Sequence, residues 1–267
     1  MNLRRVFWSC LSLLLFVPFE AFSIEVYKAN QDAAVTRFKP SRKTSKDTKF
    51  VSCFSKAQPT GSYLVRSPIL TSPDGLHRAY VEVEAIASRP KDEPSDSIPS
   101  CENTSRLFVA GPADNDFKLV YSQAPPDISD GNSLKLVDWS ADGTNLLMER
   151  TIWGYETEGE LADLVLFTVS SGTATVPDLQ KVLEARFGKD CSSENSLVGF
   201  TPEADVVIRV APVKDTYYNE GATSCVKKRT LLALDAKRGF QAIAQILPAD
   251  FKSQPYGHFP ERPAPKK

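Results

Sequence analysis

The chain is poor in the residues that carry metal and catalytic chemistry. It has two histidines in 267 residues, His77 and His258, and no two cysteines lie in a C-x-x-C pair. Zinc sites draw on such close pairs, so the spacing argues against a metal. No G-x-S-x-G elbow, P-loop or dinucleotide fingerprint occurs, which removes the usual signs of a serine hydrolase, a nucleotide triphosphatase or a Rossmann enzyme. His77 follows an Asp-Gly turn and His258 sits among prolines, neither with an identified partner to orient it as a base. No catalytic residue, metal ligand or cofactor is expected. An excess of charge is missing too: 32 basic against 33 acidic residues leave a net charge of −1. Nucleic-acid binding needs a concentrated basic surface, so none is expected.

Long apolar runs are also lacking. Phe7 to Phe19 is the main one, and Pro18 and Glu20 interrupt it before the ~20 residues of a spanning helix are reached. With Arg4 and Arg5 ahead of it and Ala21-Phe22-Ser23 behind, it reads as a cleavable export signal, residues 1–23. Cys10 leaves with the signal. Four cysteines remain, Cys53, Cys101, Cys191 and Cys225, an even count that reads as two disulfides in an exported, periplasmic or extracellular chain. Of three possible pairings, Cys53–Cys101 and Cys191–Cys225 are expected, because each pair falls within one repeat-sized segment.

What the chain does have is a repeat. Ser72-Pro73-Asp74-Gly75 precedes the run Ala79 to Glu84, and Ser140-Ala141-Asp142-Gly143 precedes Leu146 to Glu149. Thr201-Pro202-Glu203-Ala204-Asp205 echoes both before Val206 to Val210. Asp-Gly favours tight turns, because glycine tolerates positive φ and aspartate bonds nearby backbone. Each phrase sits in a module of four strands. The middle module reads Leu134–Trp139, Asn145–Trp153, Asp163–Val169 and Thr173–Val176. The first reads Tyr63–Leu70, Arg78–Ala87, Arg106–Ala110 and Phe117–Tyr121, with a long loop, Ser88–Thr104, between its second and third strands. The last reads Ser196–Phe200, Val206–Val210, Thr230–Leu234 and Phe240–Leu247. Trp139 and Phe200 stand just before their turns and are expected to fill equivalent space between sheets.

One helix is expected from Asp178 to Phe187. Leu179, Val182, Leu183 and Phe187 share a face, and Gly188 follows as a stop; its expected role is to cover a sheet edge. Residues 24–58 form a polar, locally basic segment, 59–250 the β domain and 251–267 a tail. Pro255, Pro260, Pro263 and Pro265 bar a helix or central strand there, so an extended path is expected.

The turns and the run Val165 to Gly172 resemble the TolB-type, WD40-like β-propeller repeat of bacterial exported proteins. Leu231-Leu232-Ala233-Leu234-Asp235 resembles its third-strand ending. The resemblance spans roughly residues 60–247 and implies an all-β, propeller-like array of three four-stranded antiparallel meanders with one short packing helix. Its turns are spaced more widely than the ~40–45 residues of such blades, and three modules fall short of the 4–8 of a closed ring. A β-sandwich of the same meanders is the alternative.

Loops on such a frame are natural recognition surfaces. The loop Gly154–Glu160 carries Tyr155, Glu156, Glu158 and Glu160, with Trp153 before it and Asp163 after; Tyr217 and Tyr218 lie in the loop before Cys225. Aromatic anchors dominate binding energy, whereas loop charges are often only solvated and a tryptophan at a strand end often only packs. Trp153, Tyr155, Glu156, Glu158, Glu160, Tyr217 and Tyr218 are the candidate binding residues. The expected function is a non-enzymatic binding or scaffold protein with an envelope or extracellular protein partner, or carbohydrate. The alternatives are a carboxylate-dependent glycosidase or lyase, and an accessory subunit that completes a partner's β structure. Asn103-Thr104-Ser105 matches the glycosylation sequon.

Overall fold

The computed structural model describes residues 35–37, 39–53, 61–94, 99–112, 114, 116–124, 130–154, 160–213, 224–238, 240 and 244–259. The chain divides into two compact units, residues 1–35 and 36–267, and the second holds the sheets. All are open, and all but one of their described registers are antiparallel. The first contains β1 (Val35–Arg37), β2 (Ser41–Thr44), β3 (Tyr63–Arg66), β4 (Leu70–Thr71), β5 (Arg78–Pro90), β6 (Ser100–Ala110) and β7 (Lys118–Gln123). Its order is β2-β3-β5-β6-β7, with β1 and β4 also on β5 and β2 parallel to β3. The middle sheet is a four-stranded meander of β8 (Asp130–Trp139), β9 (Asn145–Gly154), β10 (Glu160–Thr168) and β11 (Thr173–Thr175). The helix α1 (Leu179–Phe187) follows, then the last meander of β12 (Glu194–Phe200), β13 (Val206–Ala211), β14 (Thr230–Leu234) and β15 (Gln245–Ile246).

The expected meander of the middle module is therefore present, within a few residues at each strand end. Two differences stand out elsewhere. Both ends of the segment Ser88–Thr104 are strand, Ser88–Pro90 in β5 and Ser100–Thr104 in β6: the β5–β6 ladder runs from Arg78↔Ala110 out to Ser88↔Ser100, and Cys101 lies in β6 opposite Ala87. The last strand of the third module shrinks to Gln245–Ile246, with Phe240 at a positive φ of 65°, a geometry a regular strand does not tolerate.

The three turns share a backbone bond, from the N–H of Gly75, Gly143 or Ala204 to the carbonyl of Ser72, Ser140 or Thr201, and the first two also share their side-chain bonds. The Ser72 hydroxyl bonds Asp74 at 2.5 Å and accepts the His77 N–H at 2.9 Å; the Ser140 hydroxyl bonds Asp142 at 2.6 Å and accepts the Asn145 N–H at 2.9 Å. Gly75 and Gly143 take φ of 73° and 68°. In the third turn Thr201 Oγ1 accepts the Asp205 N–H at 3.2 Å, one residue earlier, and Ala204 occupies the glycine position at φ 71°. A Cβ there costs about 1 kcal/mol. Ala204→Gly is thus expected to raise stability by about that amount, read as a higher urea midpoint; an unchanged or lower midpoint would refute the strain.

Alternation along the strands puts the core in layers. Ala79 and Val81 of β5 and Leu107 and Val109 of β6 pack against Leu134, Leu136 and Trp139 of β8, Leu146 and Met148 of β9, and Val165 and Phe167 of β10. The intervening residues Leu147, Leu164 and Leu166 point to the other side and meet Phe200, Val206, Ile208, Val210, Leu232 and Leu234 of the last sheet. The middle sheet is thus buried on both faces, which is why β9 and β10 read as continuous apolar runs rather than alternating ones. Helix α1 puts Val182 and Leu183 into the second of these clusters, with Leu179 and Phe187 beside them, the four residues expected to share a face. Asp178 caps its start by accepting the Lys181 N–H at 3.2 Å. Outer edges are blunted: β2 is fully exposed and carries Arg42 and Lys43, while β11 and β15 are three and two residues long. Charged or short edges discourage pairing with another chain.

Residues 253–259 cross the ends of all three sheets as an extended strap. Ser253 Oγ donates to Phe200 O at 3.3 Å, at the end of β12. The Tyr256 and Gly257 N–H groups donate to the Asp138 carboxylate at 3.0 and 2.8 Å, near the end of β8. His258 exchanges two backbone bonds of 2.8 Å with Thr71 in β4. Strap and chain meet so closely at Gly257 that a Cβ would lie 3.0 Å from Leu70 and Trp139 carbons. The Trp139 indole, fully buried, donates to Leu70 O at 3.2 Å and so ties the middle sheet to the first.

Asp138 is 4% exposed. Burial pushes its carboxyl above the ordinary value of 3.8, against the pull of the Gly257, Tyr256 and Trp139 N–H donors. The folded chain then holds this proton more tightly than the unfolded one. The group's contribution to stability is full below 3.8 and lost as pH rises through the raised folded value. Asp74 and Asp142 work the other way. The Ser72 hydroxyl holds Asp74 low; burial alone would raise Asp142, but the Ser140 and Thr144 bonds outweigh it. Asp138→Asn should flatten the fall in stability above pH 3.8 relative to the wild type. Parallel stability–pH curves for the two proteins would contradict this assignment.

Candidate functional site

The aromatic and charged residues singled out in the sequence converge in part. Trp153 is the penultimate residue of β9, at 8% exposure, with its indole lying over Gly131 in the space a Cβ would fill. Glu160 opens β10 directly across from Trp153 in the ladder. Tyr155, Glu156, Glu158, Tyr217 and Tyr218 lie outside the described residues.

Two residues not singled out in the sequence complete this end of the middle sheet. Phe50, at φ 55° and 49% exposed, meets Trp153 edge to face with ring centroids 5.2 Å apart. Lys49 places its ammonium 3.3 Å from Glu160, 3.4 Å from Glu149 and 5.0 Å from the Phe50 ring centroid. Neighbouring Thr48 is fully buried and donates to Leu134 O at 2.6 Å, which anchors the segment that presents both. Asp163 pairs with Arg150 opposite it on β9, and Arg150 also donates to Gln123 Oε1 at 3.1 Å. Burial alone would lower the Arg150 pKa, but Asp163 outweighs it and keeps the guanidinium charged.

Lys49, Glu149, Glu160 and Asp163 line one depression of about 200 Å³ with Asn195 and Ser196 of β12. Its chemistry is that of paired charges. Glu149 and Glu160 share one ammonium and Asp163 has its own guanidinium, so each carboxylate among the described residues here has a cation. Such pairs orient a polar surface while contributing only about 0–1 kcal/mol to stability when exposed. The alternating charges Glu149-Arg150 in a strand were a signal for cross-strand pairing. Nothing local pointed to Lys49, which reaches Glu160 across 111 residues.

The cysteines stand as expected: Cα–Cα distances are 5.7 Å for Cys53–Cys101 and 5.0 Å for Cys191–Cys225, both bonded. His77 stacks on Trp139 with centroids 6.0 Å apart. Among the described residues no group of three or more His, Cys, Asp or Glu is placed to hold a metal ion, and no helix is long and apolar enough to cross a membrane. Asn103 of the sequon is fully buried and donates its amide to Val51 O at 2.7 Å. The folded chain has no room for a glycan there.

By its architecture this is an all-β protein, with three open sheets and two disulfides among the described residues. No family model, curated protein or solved structure matches the chain.

Proposed function

We propose that the protein is an exported, non-enzymatic binding protein, that its three sheets are blades of a TolB-type propeller-like array, and that the end bearing Phe50 and Trp153 is its recognition surface. The repeated turn chemistry and the stacking of the meanders in chain order support the array. Two disulfides and the apolar N-terminus support export. Phe50 carries the recognition reading: a half-exposed phenyl ring, braced by Trp153 and Lys49 beside a rim of satisfied charges. An aromatic that a protein fixes but does not cover is the kind of anchor that dominates interfaces. Pairing of Glu160 and Asp163 with cations favours recognition over general acid–base work, which needs an uncommitted carboxyl. The partner is a protein or carbohydrate of the envelope or surroundings.

The test is quantitative pull-down with residues 24–267 from native envelope and secreted fractions, comparing wild type with Phe50→Ser. Loss of an anchor is expected to weaken capture about tenfold or more, with unchanged folding, because the ring is half exposed. Equal recovery of every captured species by both baits would exclude this surface.

A further inference from the structure

The outer face of the last sheet carries a second, chemically different cavity. Val206, Ile208 and Val210 of β13 point into the core, so Arg209 between them points outward and is exposed. Its ladder neighbour on β14 is Leu231. Lys228 and Arg229, both exposed, sit just before β14. These three cations line a depression of about 390 Å³ floored by Leu231, Ile246 and Phe251. That volume lies within the about 300–1,000 Å³ of small-molecule sites. Among the described residues no carboxylate lines it, and Arg209, Lys228 and Arg229 make no ion pair. Elsewhere several arginines stand in ion pairs: Arg66 with Glu82, Arg106 with Glu84, Arg150 with Asp163. In a chain of net charge −1, three unneutralised cations around one cavity repel one another and leave a positive field for an anion to satisfy.

The floor narrows the ligand. Ile246 is 52% exposed on a strand only two residues long, so apolar surface is open to water directly beside the cations. We infer that this cavity binds an oxyanion carried on an apolar group, a phosphate or sulfate ester, with Arg209 and Arg229 gripping the oxyanion and Leu231, Ile246 and Phe251 receiving the apolar part. Guanidinium suits that grip because its N–H fork matches phosphate geometry. The cavity shares no lining residue with the depression beside Glu160, although Arg209 lies across the ladder from Ser196, which lines that depression; its test reads a different ligand and stands apart from the reading of the Phe50 surface.

Calorimetric titration of residues 24–267 with octyl phosphate, below its aggregation concentration, tests the inference. Saturable binding is expected, with Arg209→Ala and Arg229→Ala each weakening it about tenfold or more. Ile246→Ser should weaken octyl phosphate but leave inorganic phosphate unchanged, and Arg186→Ala, on the exposed helix end, should alter neither. All four positions are exposed, so the variants are expected to keep wild-type urea midpoints. Sedimentation with vesicles of phosphatidylglycerol and phosphatidylcholine in equal parts identifies the source. Arg209-dependent co-sedimentation means a lipid headgroup. Octyl phosphate binding without it means a soluble ester. No saturable binding of octyl phosphate by the folded protein, or binding indifferent to Arg209→Ala and Arg229→Ala, overturns the site.

Discussion

Asp138→Ala is expected to destabilise the protein by about 3 kcal/mol, because a buried donor left without an acceptor costs about 1–3 kcal/mol and three are affected. The carboxylate accepts N–H bonds from Trp139, Tyr256 and Gly257. The last two are the points at which the strap is held to the middle sheet. Asp138→Asn keeps one oxygen acceptor and should cost less. A cycle with a chain ended after Lys252 isolates the interaction. There the strap donors are gone and the carboxylate reaches water, so Asp138→Ala should be nearly neutral. Urea unfolding of the four proteins reads this directly. An Asp138→Ala penalty of the same size in both backgrounds would mean that the residue acts within β8 alone.

Replacing Cys53 and Cys101 together by alanine is expected to cost about 4 kcal/mol, the chain-entropy value for a loop of this size. The bridge spans 48 residues and both cysteines are buried, at 0% and 2% exposure. It joins the segment carrying Thr48, Lys49 and Phe50 to β6. Loss of the bridge should therefore loosen the Phe50 surface as well as lower the urea midpoint, and amide exchange at residues 48–53 should quicken more than at β13. The Cys191–Cys225 bridge, spanning 34 residues beside the last sheet, is the comparison: its removal should spare residues 48–53. Uniform quickening in both variants would show that the first bridge acts only globally.

Local signals were legible and distant ones were not. The turns at Asp74-Gly75 and Asp142-Gly143 could be read because their bonds close within five residues. The helix could be read because its apolar spacing and caps are contiguous. The middle meander followed from its turns. The ends of Ser88–Thr104 read as loop because its prolines mask a ladder whose partner strand decides the outcome; β5 continues to Pro90 because β6 is there to pair with it. Asp138 looked like an ordinary polar residue before Trp139, since its partners lie 118 and 119 residues downstream. The candidate surface divides in the same way. Trp153 and Glu160 were visible as aromatic and acidic residues of one turn region, while Lys49 and Phe50 enter only through tertiary placement.

The strap also sets an order of assembly. Each sheet of residues 130–247 is built from strands close in sequence, the kind of contact that forms early. The bonds from residues 253–259 to Phe200, Asp138 and Thr71 reach back across most of the domain. The meanders can therefore form one by one from local contacts, and the strap adds its bonds to those of the shared core only once the strands it crosses are in place.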